Sequence, residues 1–229
     1  MNYLELCQDI ASELGIAGGS GPVSVKGQTG ELKNVTRWIA DATLWIDNLW
    51  VDWKYLWASM DVDVTTRVLP PPPSGYRVRR WDRSAFWLNY QTDRSRNLAW
   101  VEYPEFRALY LARPERDGVP SRFTIAPDNS VIFDVLPNES MPVHAEFWRK
   151  PVRLLENTDT PAIPEEFHRI IVARAAIMYG NREAAGEIIS GMEAEYIDLL
   201  EKLQGSQLDA FAQDRMAGQD LPMQLSGPS

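Results

Sequence analysis

Two histidines and one cysteine severely limit what this 229-residue chain offers for metal and general-base chemistry. Glu165 and His168 have the Glu-x-x-His spacing that sets two metal ligands one helical turn apart. Carboxylate-bridged centres in helix bundles need that motif twice, with two further glutamates, and there is no second copy. The pair therefore reads as the polar start of a helix. His144 and Glu146 alternate along a β-rich run and share one face, which suits a cross-strand polar contact better than a catalytic dyad. Glu102 and Glu105 could in principle do glycoside chemistry, the route to a cell-wall hydrolase, but they sit beside a short helical start at Pro104. Cys7 has no Cys or His at ligand spacing, so it reads as a small apolar residue. No nucleophile elbow or phosphate-cradling loop follows a strand, and Gly18-Gly19-Ser20-Gly21 follows a helix. The expectation is a protein that is not an enzyme and uses no metal or cofactor.

The elements that would position these groups give an α+β reading. Leu4, Leu6, Ile10 and Leu14 predict a first amphipathic helix, closed by Gly15. Thr29 is a candidate N-cap, with Glu31 in the first turn. From Leu32 to Trp57 apolar residues recur at three- and four-residue steps, which predicts one helix of roughly 25–30 residues carrying Trp38, Trp45, Trp50, Trp53 and Trp57. Residues 61–69 alternate with period two and read as a strand, stopped by Pro70–Pro73. A second strand is expected over 76–81 and a third from His144 to Arg149. Arg122–Ala126 and Val131–Val135 flank Pro127-Asp128-Asn129-Ser130, a hairpin signal. Helical period returns after Pro164 and predicts an antiparallel helix pair, broken at Gly180-Asn181 and ended by Gly205. The expected organisation is N-terminal helices over 1–60, a β-rich insertion over 61–156, a C-terminal helix hairpin over 157–205 and an extended tail over 206–229.

The net charge of −9 argues against general nucleic-acid binding, yet it is unevenly spread. Residues 67–116 hold ten basic side chains, all arginine, against five acidic ones, while the segments on either side are acidic. Arg77, Arg79, Arg80, Arg83, Arg94 and Arg96 are candidate interface residues, suited to bidentate pairing with a neighbour's carboxylates or to sequence-independent proximity to DNA phosphates. Trp50, on a separate angular face, is another candidate. So are Leu208, Phe211, Met216, Leu221 and Met223 of the tail, which would need a partner to order on. No run approaches the roughly 20 apolar residues of a membrane span, Met1–Leu6 lacks signal-peptide character, and a lone cysteine suits a reducing compartment.

With these features in order, the chain resembles the head-to-tail connector (adaptor) proteins of tailed bacteriophages. The resemblance rests on the Trp-rich second helical stretch ending Trp53-Lys54-Tyr55-Leu56-Trp57. It continues in Phe123-Thr124-Ile125-x-Pro127-Asp128 and Phe147-Trp148-Arg149-Lys150-Pro151, and then in Asp159-Thr160-Pro161-x-Ile163-Pro164-x-x-Phe167-His168 with Tyr196-x-x-Leu199-Leu200. It implies a structural virion protein of the neck between capsid and tail, made in the bacterial cytoplasm. Such proteins form a homo-oligomeric ring, usually of twelve copies, that attaches to the portal protein and docks a downstream tail or tail-terminator protein. A tail-completion or minor capsid protein is the other virion role weighed.

Overall fold

The computed structural model describes residues 1–73 and 75–208, and they form two compact units. One combines residues 1–55 with 151–208; the other spans 56–150. The class is α+β, as expected. No described helix is long and apolar enough to cross a membrane.

The first unit is helical. Helix α1 (Tyr3–Glu13) opens with a capping box: Asn2 Oδ1 accepts from Glu5 N at 2.9 Å and Glu5 Oε2 accepts from Asn2 N at 2.8 Å. The Tyr3 and Leu4 amides donate to the carbonyls of Asp159 and Asn157, so the 157–159 segment satisfies donors that the first helical turn leaves open. Gly15 ends α1 with φ of +64°, a conformation that costs glycine little. Helix α2 (Gly30–Leu49) has Thr29 at its N-cap position, but the Thr29 side chain makes no capping hydrogen bond.

Helix α2 is shorter than its periodicity predicts. It ends at Leu49, and Trp50 is extended at φ −132° and ψ 142°. Trp53 and Trp57 therefore lie off the helix, although their spacing continues its rhythm. The chain folds back: Trp53 is fully buried and its indole N–H donates to Ile46 O at 3.1 Å, while Tyr55 Oη donates to Asp47 Oδ1 at 3.0 Å. Ile46 O is one of the carbonyls a helix end leaves without a partner, so the indole does the work of a C-cap.

Helices α4 (Arg169–Glu183) and α5 (Gly186–Gln207) form the expected pair. The break falls at Ala184, left-handed at φ +55°, and not at Gly180-Asn181. Gly180 serves packing instead: a Cβ there would lie 2.8 Å from Ile189 Cγ1. Helix α5 runs past Gly205 to Gln207. Arg169 ties three helices together, pairing with Glu13 of α1 and with Glu195 of α5 at 2.7 Å. These carboxylates push its pKa further up.

The second unit is β-rich. Strand β1 (Trp57–Val64) replaces the 61–69 strand read from alternation, and β2 (Val78–Leu88) extends well beyond the 76–81 expected. Short strands β3 (Arg96–Asn97) and β4 (Ala99–Trp100) follow, then α3 (Tyr103–Phe106) with Pro104 in its first turn. Next come β5 (Asp117–Gly118), the predicted hairpin of β6 (Arg122–Ile125) and β7 (Val131–Phe133), β8 (Leu136–Pro137) and β9 (Met141–Arg149). The largest sheet has the order β1-β9-β2-β3, all neighbours antiparallel, and a second has the order β4-β6-β7. Their shared core includes Met60, Trp81, Phe86, Phe123, Phe133 and Phe147, with the Phe86 and Phe123 rings stacked 4.0 Å apart.

Candidate interaction surface

The candidate arginines concentrate on β2, and a break in its register decides how they are presented. Trp81 pairs with Phe147 and Phe86 with Ala145, so four residues of β2, 82–85, stand where β9 has one, Glu146. A bulge of this kind lets the flanking apolar residues keep their place in the core while the extra residues project elsewhere. Within it Asp82 Oδ1 accepts from Ser84 N at 2.9 Å and from Ser84 Oγ at 2.6 Å, which fixes the local turn.

Beside the bulge lies a concavity of about 650 Å³, lined by Arg79, Arg80, Trp81, Asp82, Arg83, Ser84, Ile125, Asn129 and Trp148. Arg80 places its guanidinium carbon 4.3 Å from the centre of the Trp148 ring, and Arg83 lies 4.0 Å from that of Trp100. Stacking on an indole holds a guanidinium in a defined orientation. Trp148 Nε1 is buried and has no hydrogen-bond partner among the described residues. Asn129, at φ +71° in the hairpin turn, closes one side: Trp81 Nε1 donates to its carbonyl at 3.0 Å and its amide donates to Val78 O at 3.1 Å.

The other sequence candidates scatter. Arg77 is exposed just before β2, and its carbonyl accepts from Lys150 N at 2.7 Å. Arg94 is exposed in the loop after β2. Arg96 spends its guanidinium on Pro120 O. Trp50 is half-buried at the end of α2. Leu208, grouped with the tail from sequence, is the C-cap of α5 and only 2% exposed. Phe211, Met216, Leu221 and Met223 lie outside the described residues. Trp148, Trp100 and Asn129 escaped selection from sequence; the period-two run through Phe147-Trp148-Arg149 was the one available signal.

Both histidines have structural partners. His144 Nδ1 lies 2.8 Å from Asp61 Oδ1 on the neighbouring strand and Nε2 lies 3.5 Å from Glu146 Oε1, with the Tyr90 ring stacked at 4.1 Å. His168 Nε2 lies 2.9 Å from Ile163 O and Nδ1 2.9 Å from the Met1 nitrogen, which also pairs with Glu165. Burial holds the His168 pKa below its ordinary value, which fits a neutral ring donating from Nε2 to the Ile163 carbonyl. Among the described residues no group of three or more His, Cys, Asp or Glu could hold a metal ion.

No curated protein matches the chain. The profile of the SU10 adaptor protein family matches residues 1–219, nearly the whole sequence and both units. The resemblance read from the ordered motifs and this match agree: the chain belongs to the SU10 adaptor protein family and is a phage adaptor protein, a structural component of the particle.

Proposed function

We propose that the chain is the repeating subunit of a head-to-tail connector ring, expected to hold twelve copies, that attaches to the portal on one side and docks a tail protein on the other. The observation that carries this reading is the asymmetry between the two units. The β unit holds 13 of the 23 basic residues and 12 of the 32 acidic ones and is slightly positive, so the net negative charge lies entirely on the remaining chain, which includes the exposed α5 acids Glu187, Glu193 and Glu201. Rings close only through two different, complementary faces on each subunit, and opposed charge supplies such faces and sets their register. Stacked arginines on one unit and acidic helices on the other answer that need.

The test is to mix the protein with portal and examine the products by electron microscopy, counting copies. Rings of one fixed copy number seated on the portal are the expected result. Monomeric protein that leaves the portal bare would overturn the proposal, and a copy number below that of a ring would move the chain to a tail-completion or minor capsid role.

A further inference from the structure

A second, smaller recess of the β unit, about 100 Å³, is lined by Leu109, Pro114 and Val135, by Tyr110 and Asp134, and by Arg113 and Arg116. Most polar groups around it are already engaged. Asp134 accepts from the Ser121 and Arg122 amides and from Ser121 Oγ, and Tyr110 Oη accepts from Arg122. Arg67 spends its guanidinium on the carbonyls of Phe133, Tyr110 and Asp134. The guanidiniums of Arg113 and Arg116 differ: both residues are exposed, and neither guanidinium has a hydrogen bond, ion pair or ring contact among the described residues. A space of this size lies well below the roughly 300 Å³ at which small-molecule sites begin, so it suits one inserted side chain.

Helix α5 presents the counterpart. Of its acids, Glu195 is taken by Arg169 and Asp198 by Lys202 at 2.6 Å. Glu193 and Glu201 are exposed, and their carboxylates have no partner among the described residues. They stand four residues before and four after Ile197, which is 55% exposed, so the three share one helix face. At 1.5 Å per residue the two acids are about 12 Å apart along the axis. Arg113 and Arg116 are at most about 11 Å apart along the chain, and the long side chains close the difference.

We propose that α5 of one copy docks on this recess of a second copy, Ile197 entering the space while Glu193 and Glu201 pair with Arg113 and Arg116. The paired charges set the register, and the apolar anchor supplies the burial. A DNA backbone fits less well: Glu115 and Asp117 leave residues 113–117 without net charge, so the segment has no field to draw in a polyanion. The proposal deepens the ring reading, on which it rests for its head-to-tail direction.

The test uses full-length chains. One carries exposed Ala112→Cys next to Arg113, and the other exposed Ala194→Cys one turn before Ile197, while the native Cys7 stays buried. Mixed and oxidised, the pair is expected to give a mixed disulfide dimer at least tenfold above a control in which exposed Ser12→Cys replaces Ala112→Cys. Arg113→Glu with Arg116→Glu on the recess copy should cut the yield about tenfold, and Glu193→Arg with Glu201→Arg on the other copy should restore it. A yield equal to the control, or one insensitive to both charge changes, overturns the proposal. So does an intramolecular disulfide as the main product when both cysteines sit on one chain at high dilution. Suppression of the dimer by a short DNA duplex that binds the unmodified protein, and no longer binds once both arginines are replaced, would assign the surface to nucleic acid and overturn it as well. Portal co-assembly is read separately: cross-linking without portal attachment removes the ring reading alone, and attachment without cross-linking removes this inference alone.

Discussion

The guanidinium carbon of Arg174 on α4 stands 4.1 Å from the centre of the Trp45 ring on α2. Trp45 also lies 5.9 Å from Tyr196 of α5, so one cation joins three helices. One heptad earlier on α2 the arrangement repeats, with Arg182 5.7 Å from Trp38 and Tyr179 edge-on to the same indole at 5.7 Å. The two stacks account for helical tryptophans that hydrophobic periodicity alone treats as simple core.

Arg174→Met keeps most of the aliphatic packing and removes the cation. A partly desolvated cation–π contact is worth about 1–2 kcal/mol, so the variant should lose about that much in urea unfolding. Arg182→Met, at the longer distance, should lose less. Equal losses would show that the aliphatic stems, and not the charges, hold the helices.

Trp53→Phe removes the indole N–H that Ile46 O accepts while keeping an aromatic ring in the buried site. Its cost should be about 1–2 kcal/mol, from the open carbonyl and the smaller ring. Trp53→Ala should cost about 3–5 kcal/mol. A chemical denaturation series separates the two.

Asp134 is 8% exposed and accepts three hydrogen bonds, from Ser121 N at 3.0 Å, Ser121 Oγ at 2.7 Å and Arg122 N at 3.1 Å. Asp134→Ala leaves two backbone amides without their acceptor and should destabilise the β unit by about 2–4 kcal/mol. Hydrogen exchange should localise the loss to β6 and its neighbours, with amides of α4 unchanged.

His168 gives a pH signature. Its folded pKa lies below the ordinary 6.5 because burial disfavours the charged ring. The unfolded chain therefore takes up the proton first as pH falls, so the stabilising contribution is complete above about pH 6.5 and declines below it. Thermal melts from pH 7.5 to 5 should show falling stability, and His168→Gln should flatten that slope. Asp159, Glu165 and Glu195, all held below the usual carboxylate range by hydrogen bonds, act only at more acidic pH.

Cys7 is fully buried, and burial pushes its thiol up to about 12. Reaction with a neutral aromatic disulfide at pH 8 should be at least a hundredfold slower in the native protein than in denaturant. Rapid native labelling would mean that α1 opens on its own.

The sequence exposed most of the elements because their signals are local. The amphipathic period of α1, the Pro-Asp-Asn-Ser turn and the paired C-terminal helices each follow from neighbouring residues. The end of α2 did not, because Trp53 and Trp57 keep helical spacing while the backbone turns back, and what ends the helix is an indole reaching Ile46 O seven residues earlier. The extent of β2 was hidden by its bulge, which breaks the alternation between Trp81 and Phe86. The arginine cluster was legible as composition, but the concavity was not: it needs Trp148 and Asn129, brought to β2 by strand and turn contacts across long stretches of chain.

The first and last strands of the β unit are direct neighbours, with Trp57 opposite Trp148. The chain therefore leaves the helical unit and returns to it at almost one point, as it would for a tight hairpin. To the helices, everything between those strands is a cassette on a single stem. Loop-closure cost grows only slowly with length, so such a cassette can be lengthened, trimmed or exchanged between related chains while the helical unit keeps its own packing. A phage lineage gains by this a way to vary one unit of its adaptor without redesigning the part that folds around α2.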